Sequence, residues 1–179
     1  MKIGEKAPAF DLPGVDGKTH ALAALKGSKA TIVVFTCNHC PYVVMNEDRL
    51  IAISRDYAAK GVVLAAINAN DAENYPEDSF PEMKKRAAEK KFPFPYLHDE
   101  SQDVARAYGA AHTPHLFVFD KELRLAYTGA VDDDSNYSAR KAVEKPYLRN
   151  ALDDLAAGRP VRTEETRAIG CTIKWKRRG

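Results

Sequence analysis

The chain has 179 residues, 45% of them hydrophobic, and 27 basic against 25 acidic side chains give a net charge of +2. This length suits one globular domain with a sizeable core and leaves no room for a second full domain. The balanced charge gives no electrostatic basis for nucleic-acid binding, and no apolar run reaches the eighteen or so residues of a membrane span.

Periodicity and turn residues predict strands and helices in alternation, followed by a hairpin and a last helix. Residues 30–35 (ATIVVF) are rich in β-branched side chains and uncharged, which indicates a strand buried on both faces. Apolar side chains recur at helical spacing after Pro41, and Gly61 is placed to end that helix. In chain order the predicted elements are a hairpin arm over 7–22, strand 30–35, helix 41–60, strand 62–67, a solvated polar loop over 68–79, helix 79–91, strand 94–98, helix 101–108, a hairpin of strands 115–119 and 123–127, and a helix between Pro146 and Gly158.

This alternation predicts an α/β protein with a mixed central sheet flanked by helices and joined by right-handed crossovers. Functional sites in such sheets lie beyond the carboxyl ends of the strands. The segment TCNHCP, residues 36–41, falls at that position after the first buried strand.

Two of the three cysteines, Cys37 and Cys40, flank His39 in this segment. The N-terminus has no apolar signal segment, so we expect a cytoplasmic protein, in which a Cys-X-X-Cys pair is more often catalytic or metal-binding than a structural disulfide. At the start of a helix, unpaired N–H groups favour a thiolate, so we expect Cys37 to be ionised, exposed and attacking, and Cys40 to resolve the mixed disulfide. A protonated His39 would favour the thiolate and place the reduction potential between about −270 and about −120 mV; alternatively it faces solvent with little effect.

Three segments carry a resemblance to a known family: the opening GEKAPAFDLPGVDGK, the strand and CNHC of residues 30–40, and HTPHLFVFD at 112–120. Over about residues 4–130 the chain resembles the thioredoxin-like redoxins of the alkyl hydroperoxide reductase and thiol-specific antioxidant (AhpC/TSA) group. The resemblance implies a thioredoxin fold with an N-terminal hairpin arm and a C-terminal strand extension. It also implies a cis Thr113–Pro114 step facing the cysteines. Thr36, Thr113 and Pro114 would then shape the substrate groove, with the Thr113 backbone free to pair with a substrate strand.

Two departures from the family patterns bear on the activity. Thioredoxins carry a tryptophan before the first cysteine and a buried carboxylate in the preceding strand, whereas this chain has Thr36 and an uncharged strand. The peroxiredoxin pattern Pro-X-X-X-Thr-X-X-Cys is also absent, since Val34 lies three residues before Cys37 and Cys37 three before Cys40. We therefore expect a thiol-disulfide oxidoreductase. The alternative is a thiol-dependent peroxidase, because peroxide oxidises an accessible thiolate to sulfenic acid.

The third cysteine, Cys171, lies in an alternating segment, residues 171–176, that predicts a half-buried edge strand. It is either an inert thiol or a second resolving thiol, within the chain or across a homodimer. A zinc or copper site is the remaining alternative. Its ligands would be Cys37, Cys40 and Cys171 with one of His39, His112 or His115. Under the other interpretations, no cofactor and no metal are expected.

The expected domain organisation is a redoxin domain over residues 1–160 and a C-terminal extension over 161–179 packed on it. The expected partners are protein or small-molecule thiols and disulfides, with peroxides under the alternative activity. Neither nucleic acid nor a membrane is expected to bind, and a homodimer remains open.

Overall fold

The structure is a computed structural model that describes residues 1–177, and its elements follow the predicted order closely. The strands are β1 (Asp11–Pro13), β2 (Thr19–Ala21), β3 (Ala30–Thr36), β4 (Val62–Asn68), β5 (Tyr96–His98), β6 (His112–Thr113), β7 (His115–Asp120), β8 (Leu125–Gly129) and β9 (Cys171–Thr172). The helices are α1 (Pro41–Ala58), α2 (Phe80–Lys90), α3 (Asp103–Tyr108) and α4 (Tyr147–Ala156), with 3-10 turns at Leu22–Leu25 and Pro76–Asp78.

The central sheet has five strands in the order β5–β4–β3–β7–β8. Strands β5, β4 and β3 are parallel, and β7 and β8 join them as antiparallel neighbours. This is the thioredoxin fold, and the predicted fold class is confirmed. The N-terminal hairpin forms from β1 and β2, and β9 pairs with β6 in a separate two-stranded ladder.

The uninterrupted apolar sequence of β3 is explained by its central position, with every residue of the strand buried. Ile32 and Val34 face a core built with helices α1, α2 and α4, whereas Val33 and Phe35 face a second core built with the N-terminal hairpin and α3. Each face therefore removes apolar side chains from water, at about 25 cal/mol per Å² buried.

Two local predictions are wrong. The C-terminal strand spans only Cys171–Thr172, although Ile173 beyond it is buried as the alternation predicts. The loop over 68–79 is not a solvated surface, because Asp71 and Asp78 are both buried.

The topology brings two loops together at one end of the sheet. Strands β3 and β4 are parallel and in register to their last residues, Thr36 opposite Asn68. The CNHC segment after β3 therefore lies beside the loop that follows β4. Among residues 1–177, none of the helices is both long and apolar enough to cross a membrane.

Candidate active site

The two cysteines of the CNHC segment connect β3 to α1. Cys37 directly follows the strand, and Cys40 is the N-cap residue of the helix. Both residues are only 2% exposed, so the expectation of an exposed Cys37 is wrong. Both side chains pack in one cluster with Val43, and the Asn38 side-chain amide of the same loop donates to the Glu77 carbonyl at 2.9 Å.

Thr113 contacts both sulfurs from the opposite side. The Cys37 Sγ lies 3.6 Å from the Thr113 hydroxyl, and the Cys40 Sγ lies 3.5 Å from the Thr113 carbonyl. The peptide bond between Thr113 and Pro114 is cis, as the resemblance implies. Thr113 therefore faces the cysteines as expected, while Thr36 lies buried at the end of β3.

The expectation of a free Thr113 backbone is wrong. In the register of β6 and β9, Thr113 pairs with Cys171. The Cys171 side chain packs against the small apolar cluster of Cys37, Cys40 and Val43. The structure thus brings all three cysteines of the chain together, with the C-terminal segment on the edge where a substrate strand was expected.

The pKa values of the two buried thiols shift in opposite directions. The pKa of Cys37 is raised because its thiol donates to the Cys40 sulfur, because it is buried, and because the Asp78 charge is close. The pKa of Cys40 is lowered chiefly because the Cys37 thiol lies beside it, with a smaller contribution from the Cys171 thiol. Cys40 is the N-cap residue of α1, but its side chain makes no capping hydrogen bond and its thiol donates to the Thr113 carbonyl, so the expected thiolate at Cys37 stays a prediction.

A buried carboxylate, that of Asp78, binds the CNHC loop and was not identified from the sequence. Asp78 is 0% exposed, and it accepts hydrogen bonds from the Asn38 backbone N–H at 2.8 Å and the Asn70 side-chain amide at 2.8 Å. A carboxylate oxygen of Asp78 lies within 4.8 Å of the Cys37 sulfur. The turn at Pro76–Asp78 therefore places a buried carboxylate beside Cys37, whereas β3 has none. The polar residues directly after β4 were the available signal, since β3 and β4 are parallel and end at the same edge of the sheet.

His39 lies between acidic groups. Its Nδ1 is 3.1 Å from Asp78, and its Nε2 is 3.6 Å from Glu77. A protonated imidazole would therefore be paired with the buried carboxylate as well as close to the Cys37 sulfur. Its tuning of the cysteines stays a prediction.

The donor atoms of Cys37, His39 and Asp78 lie within 4.8 Å of one another and could hold a metal ion. This set differs from the zinc alternative, which used Cys171 and Cys40. His115 is a poor ligand there, because its Nδ1 accepts from the Ala111 N–H at 3.3 Å and its Nε2 meets the Thr128 hydroxyl at 3.3 Å. A metal ion at Asp78 would have to displace hydrogen bonds that the carboxylate already accepts.

The fold and these juxtaposed sulfurs define a thioredoxin-fold protein with a buried cluster of three thiols. Comparison with known proteins then fixes the family. The AhpC/TSA family model matches residues 3–128, and the chain belongs to that family.

The chain is also similar to individual proteins and solved structures. The thiol-disulfide oxidoreductase ResA of Bacillus anthracis is 26% identical over 122 residues, which cover 68% of this chain; the chain spans 66% of the length of that relative. A crystal structure of an uncharacterized conserved protein from Geobacillus kaustophilus is 45% identical with a TM-score of 0.91, covering 99% of this chain and 94% of that one. The thioredoxin domain of a thiol-disulfide oxidoreductase from Bacteroides vulgatus shares the fold at 21% identity and a TM-score of 0.61, covering 73% of this chain and 89% of that one.

Proposed function

We propose that the protein catalyses thiol-disulfide exchange through Cys37 and Cys40. The observation that carries the proposal is the contact between the two sulfurs at the N-terminus of α1, with Thr113 facing both. The name of the ResA relatives gives independent support for this class of reaction. A cytoplasmic location would suit it, because thiols are kept reduced there.

We place Cys40 as the first attacking sulfur, because the pKa of Cys40 is lowered by the adjacent Cys37 thiol whereas that of Cys37 is raised; this reverses the roles expected from the sequence. The Cys40 thiolate attacks one sulfur of a substrate disulfide, forms a mixed disulfide and releases the other sulfur as a thiolate. Cys37 then loses its proton and attacks Cys40, which forms the Cys37–Cys40 disulfide and releases the second substrate thiol. Two electrons pass from the pair to the substrate, and the reverse sequence oxidises a dithiol.

Asp78 is placed to accept the proton of Cys37 in the second step. Its carboxylate lies within 4.8 Å of that sulfur and is shielded from solvent. Its charge disfavours the Cys37 thiolate in the resting state. Cys37 is therefore held as a thiol until the mixed disulfide forms, and a base is then close at hand.

The test is reduction of insulin by dithiothreitol, followed in wild type and in Cys37→Ser and Cys40→Ser variants that also carry Cys171→Ser, so that Cys171 cannot replace the missing thiol. The wild type should accelerate the reaction, and each serine variant should lose nearly all of that acceleration. Lys121→Ala is the matched control, because Lys121 lies in the exposed turn after β7, at the opposite end of the sheet from the cysteines. Acceleration retained by either serine variant, or lost equally in the control, would overturn the proposal.

A thiol-dependent peroxidase is the second candidate, and membership of the AhpC/TSA family is the observation that favours it. Val34, in the position of the peroxidase threonine, is fully buried and has no hydroxyl with which to orient a peroxide. Dimedone labelling after hydrogen peroxide treatment separates the candidates. Rapid accumulation of a cysteine sulfenic acid in a variant lacking the other two thiols would favour the peroxidase.

A further inference from the structure

The C-terminal segment is built into the active site rather than lying loosely over it. The Gly170 backbone approaches Thr113 so closely that a Cβ added there would lie 2.2 Å from the Thr113 carbonyl oxygen. At the other end of β9, the Ile173 N–H donates to the Ala111 carbonyl at 3.0 Å and continues the same ladder. These contacts hold Cys171 in register with Thr113, at the edge where an extended substrate would bind.

Polar contacts beyond Cys171 fix the position of the segment further. The Lys174 N–H donates to the Asn70 side-chain oxygen at 2.9 Å, and the Gln102 side-chain amide donates to the Lys174 carbonyl at 2.8 Å. Asn70 also donates to Asp78, so the same side chain joins the C-terminal segment to the carboxylate beside Cys37. A segment bonded in this way holds its thiol at a defined position against Cys40.

We propose that Cys171 is a third redox thiol that takes over the disulfide at Cys40, so that the C-terminal strand acts as the chain's own substrate. The inference rests on the proposed function for the first disulfide. Cys171 loses its proton and attacks the Cys40 sulfur of the Cys37–Cys40 disulfide. The Cys37–Cys40 bond breaks, the Cys40–Cys171 bond forms, and Cys37 leaves as a thiolate that takes up one proton. The exchange needs no external oxidant or reductant.

The consequence concerns access to the oxidised site. Cys37 and Cys40 are both buried, whereas Cys171 is partly exposed. Transfer to Cys171 therefore places one sulfur of the disulfide where an external thiol can reach it, and it returns Cys37 to the reduced state. The proposed partner of Cys171 is a small or protein thiol that reduces the Cys40–Cys171 disulfide.

The test is peptide mass mapping after oxidation with one equivalent of diamide. Cys37→Ser should form a Cys40–Cys171 disulfide in most molecules, and Cys171→Ser should form Cys37–Cys40. Absence of Cys40–Cys171 in the first variant, with Cys37–Cys40 intact in the second, would overturn this inference alone. Failure of Cys171→Ser to form Cys37–Cys40 would instead overturn the proposed function.

A positional variant separates chemistry from placement. Gly170→Ala keeps all three thiols but forces β9 away from the Thr113 carbonyl, so the Cys40–Cys171 fraction should fall at least about fivefold, as attack requires access to the sulfur. Thr172→Ala is the matched control, because Thr172 is exposed on the opposite face of the strand, and it should map like the wild type. Equal Cys40–Cys171 fractions in the two variants would contradict the proposed dependence on strand position.

Discussion

Replacement of Asp78 by asparagine tests whether the buried carboxylate organises the site. Its two oxygens accept from the Asn38 N–H at 2.8 Å and from the Asn70 side-chain amide at 2.8 Å, and His39 Nδ1 lies 3.1 Å from the carboxylate. An asparagine keeps one oxygen and places an NH₂ group where the other stood. In either orientation of the amide, this NH₂ group faces a nitrogen that donated to the carboxylate.

The expected cost follows from these contacts. At least one charge-assisted hydrogen bond is lost, at about 1.5–3 kcal/mol, and the remaining ones become neutral. Asn70 cannot relieve the conflict by rotating its amide, because its oxygen accepts from the Lys174 N–H at 2.9 Å. We therefore expect Asp78→Asn to lower the free energy of unfolding by about 3 kcal/mol.

Urea denaturation followed by circular dichroism measures this change. With a slope near 2 kcal/mol per M, the midpoint should fall by about 1.5 M. Glu77→Gln is the matched control, because Glu77 is the adjacent carboxylate and also faces His39, but its side chain is 46% exposed. Its effect should stay below about 0.5 kcal/mol. Equal midpoints for Asp78→Asn and Glu77→Gln would refute the reasoning.

Three further predictions concern ionisation and metal binding. Brief iodoacetamide treatment of the reduced protein at pH 7 should label Cys40 ahead of Cys37, since the adjacent Cys37 thiol lowers the pKa of Cys40. In Asp78→Asn, the fraction of label on Cys37 should increase. Preferential labelling of Cys37 in the wild type would contradict the proposed thiolate at Cys40. Burial lowers the pKa of His115 to about 4, so the unfolded chain binds a proton first as the pH falls below about 6.5. Urea titrations should therefore show about 2 kcal/mol of stability lost between pH 7 and pH 5, and a smaller loss in His115→Asn. An unchanged pH dependence in that variant would remove His115 as the cause. Reduced protein mixed with one equivalent of zinc and desalted should retain little metal by mass spectrometry, because the Asp78 oxygens already accept hydrogen bonds. Stoichiometric zinc retention that Asp78→Asn abolishes would establish a metal site instead.

The sequence was sufficient for features that depend on local pattern. The β-branched run of β3 predicted a strand buried on both faces, and Gly61 after the apolar repeat of α1 predicted the helix end to within two residues. Cys37 and Cys40 were placed at the correct end of the sheet for the same reason. Local periodicity fixes which element forms and which side of it is apolar.

Features that depend on distant contacts were not predictable. Asp78 sits in a loop whose composition is typical of solvated surface, and its burial follows from the Asn38 and Asn70 side chains that meet it only in the folded protein. The pKa values of Cys37 and Cys40 depend on their contacts with each other and with Cys171, which come together only in the folded protein. The position of Cys171 depends on pairing between β6 and β9, which are separated by nearly sixty residues of sequence.

The most direct test of the central claim is a redox titration of the Cys171→Ser variant in glutathione buffers of defined ratio. This variant isolates Cys37 and Cys40, and mass mapping gives the fraction joined by a disulfide at each potential. The account predicts one two-electron transition with a midpoint between about −270 and about −120 mV. A protein that stays fully reduced across that range, or that accumulates only mixed disulfides with glutathione, would contradict thiol-disulfide exchange by this pair.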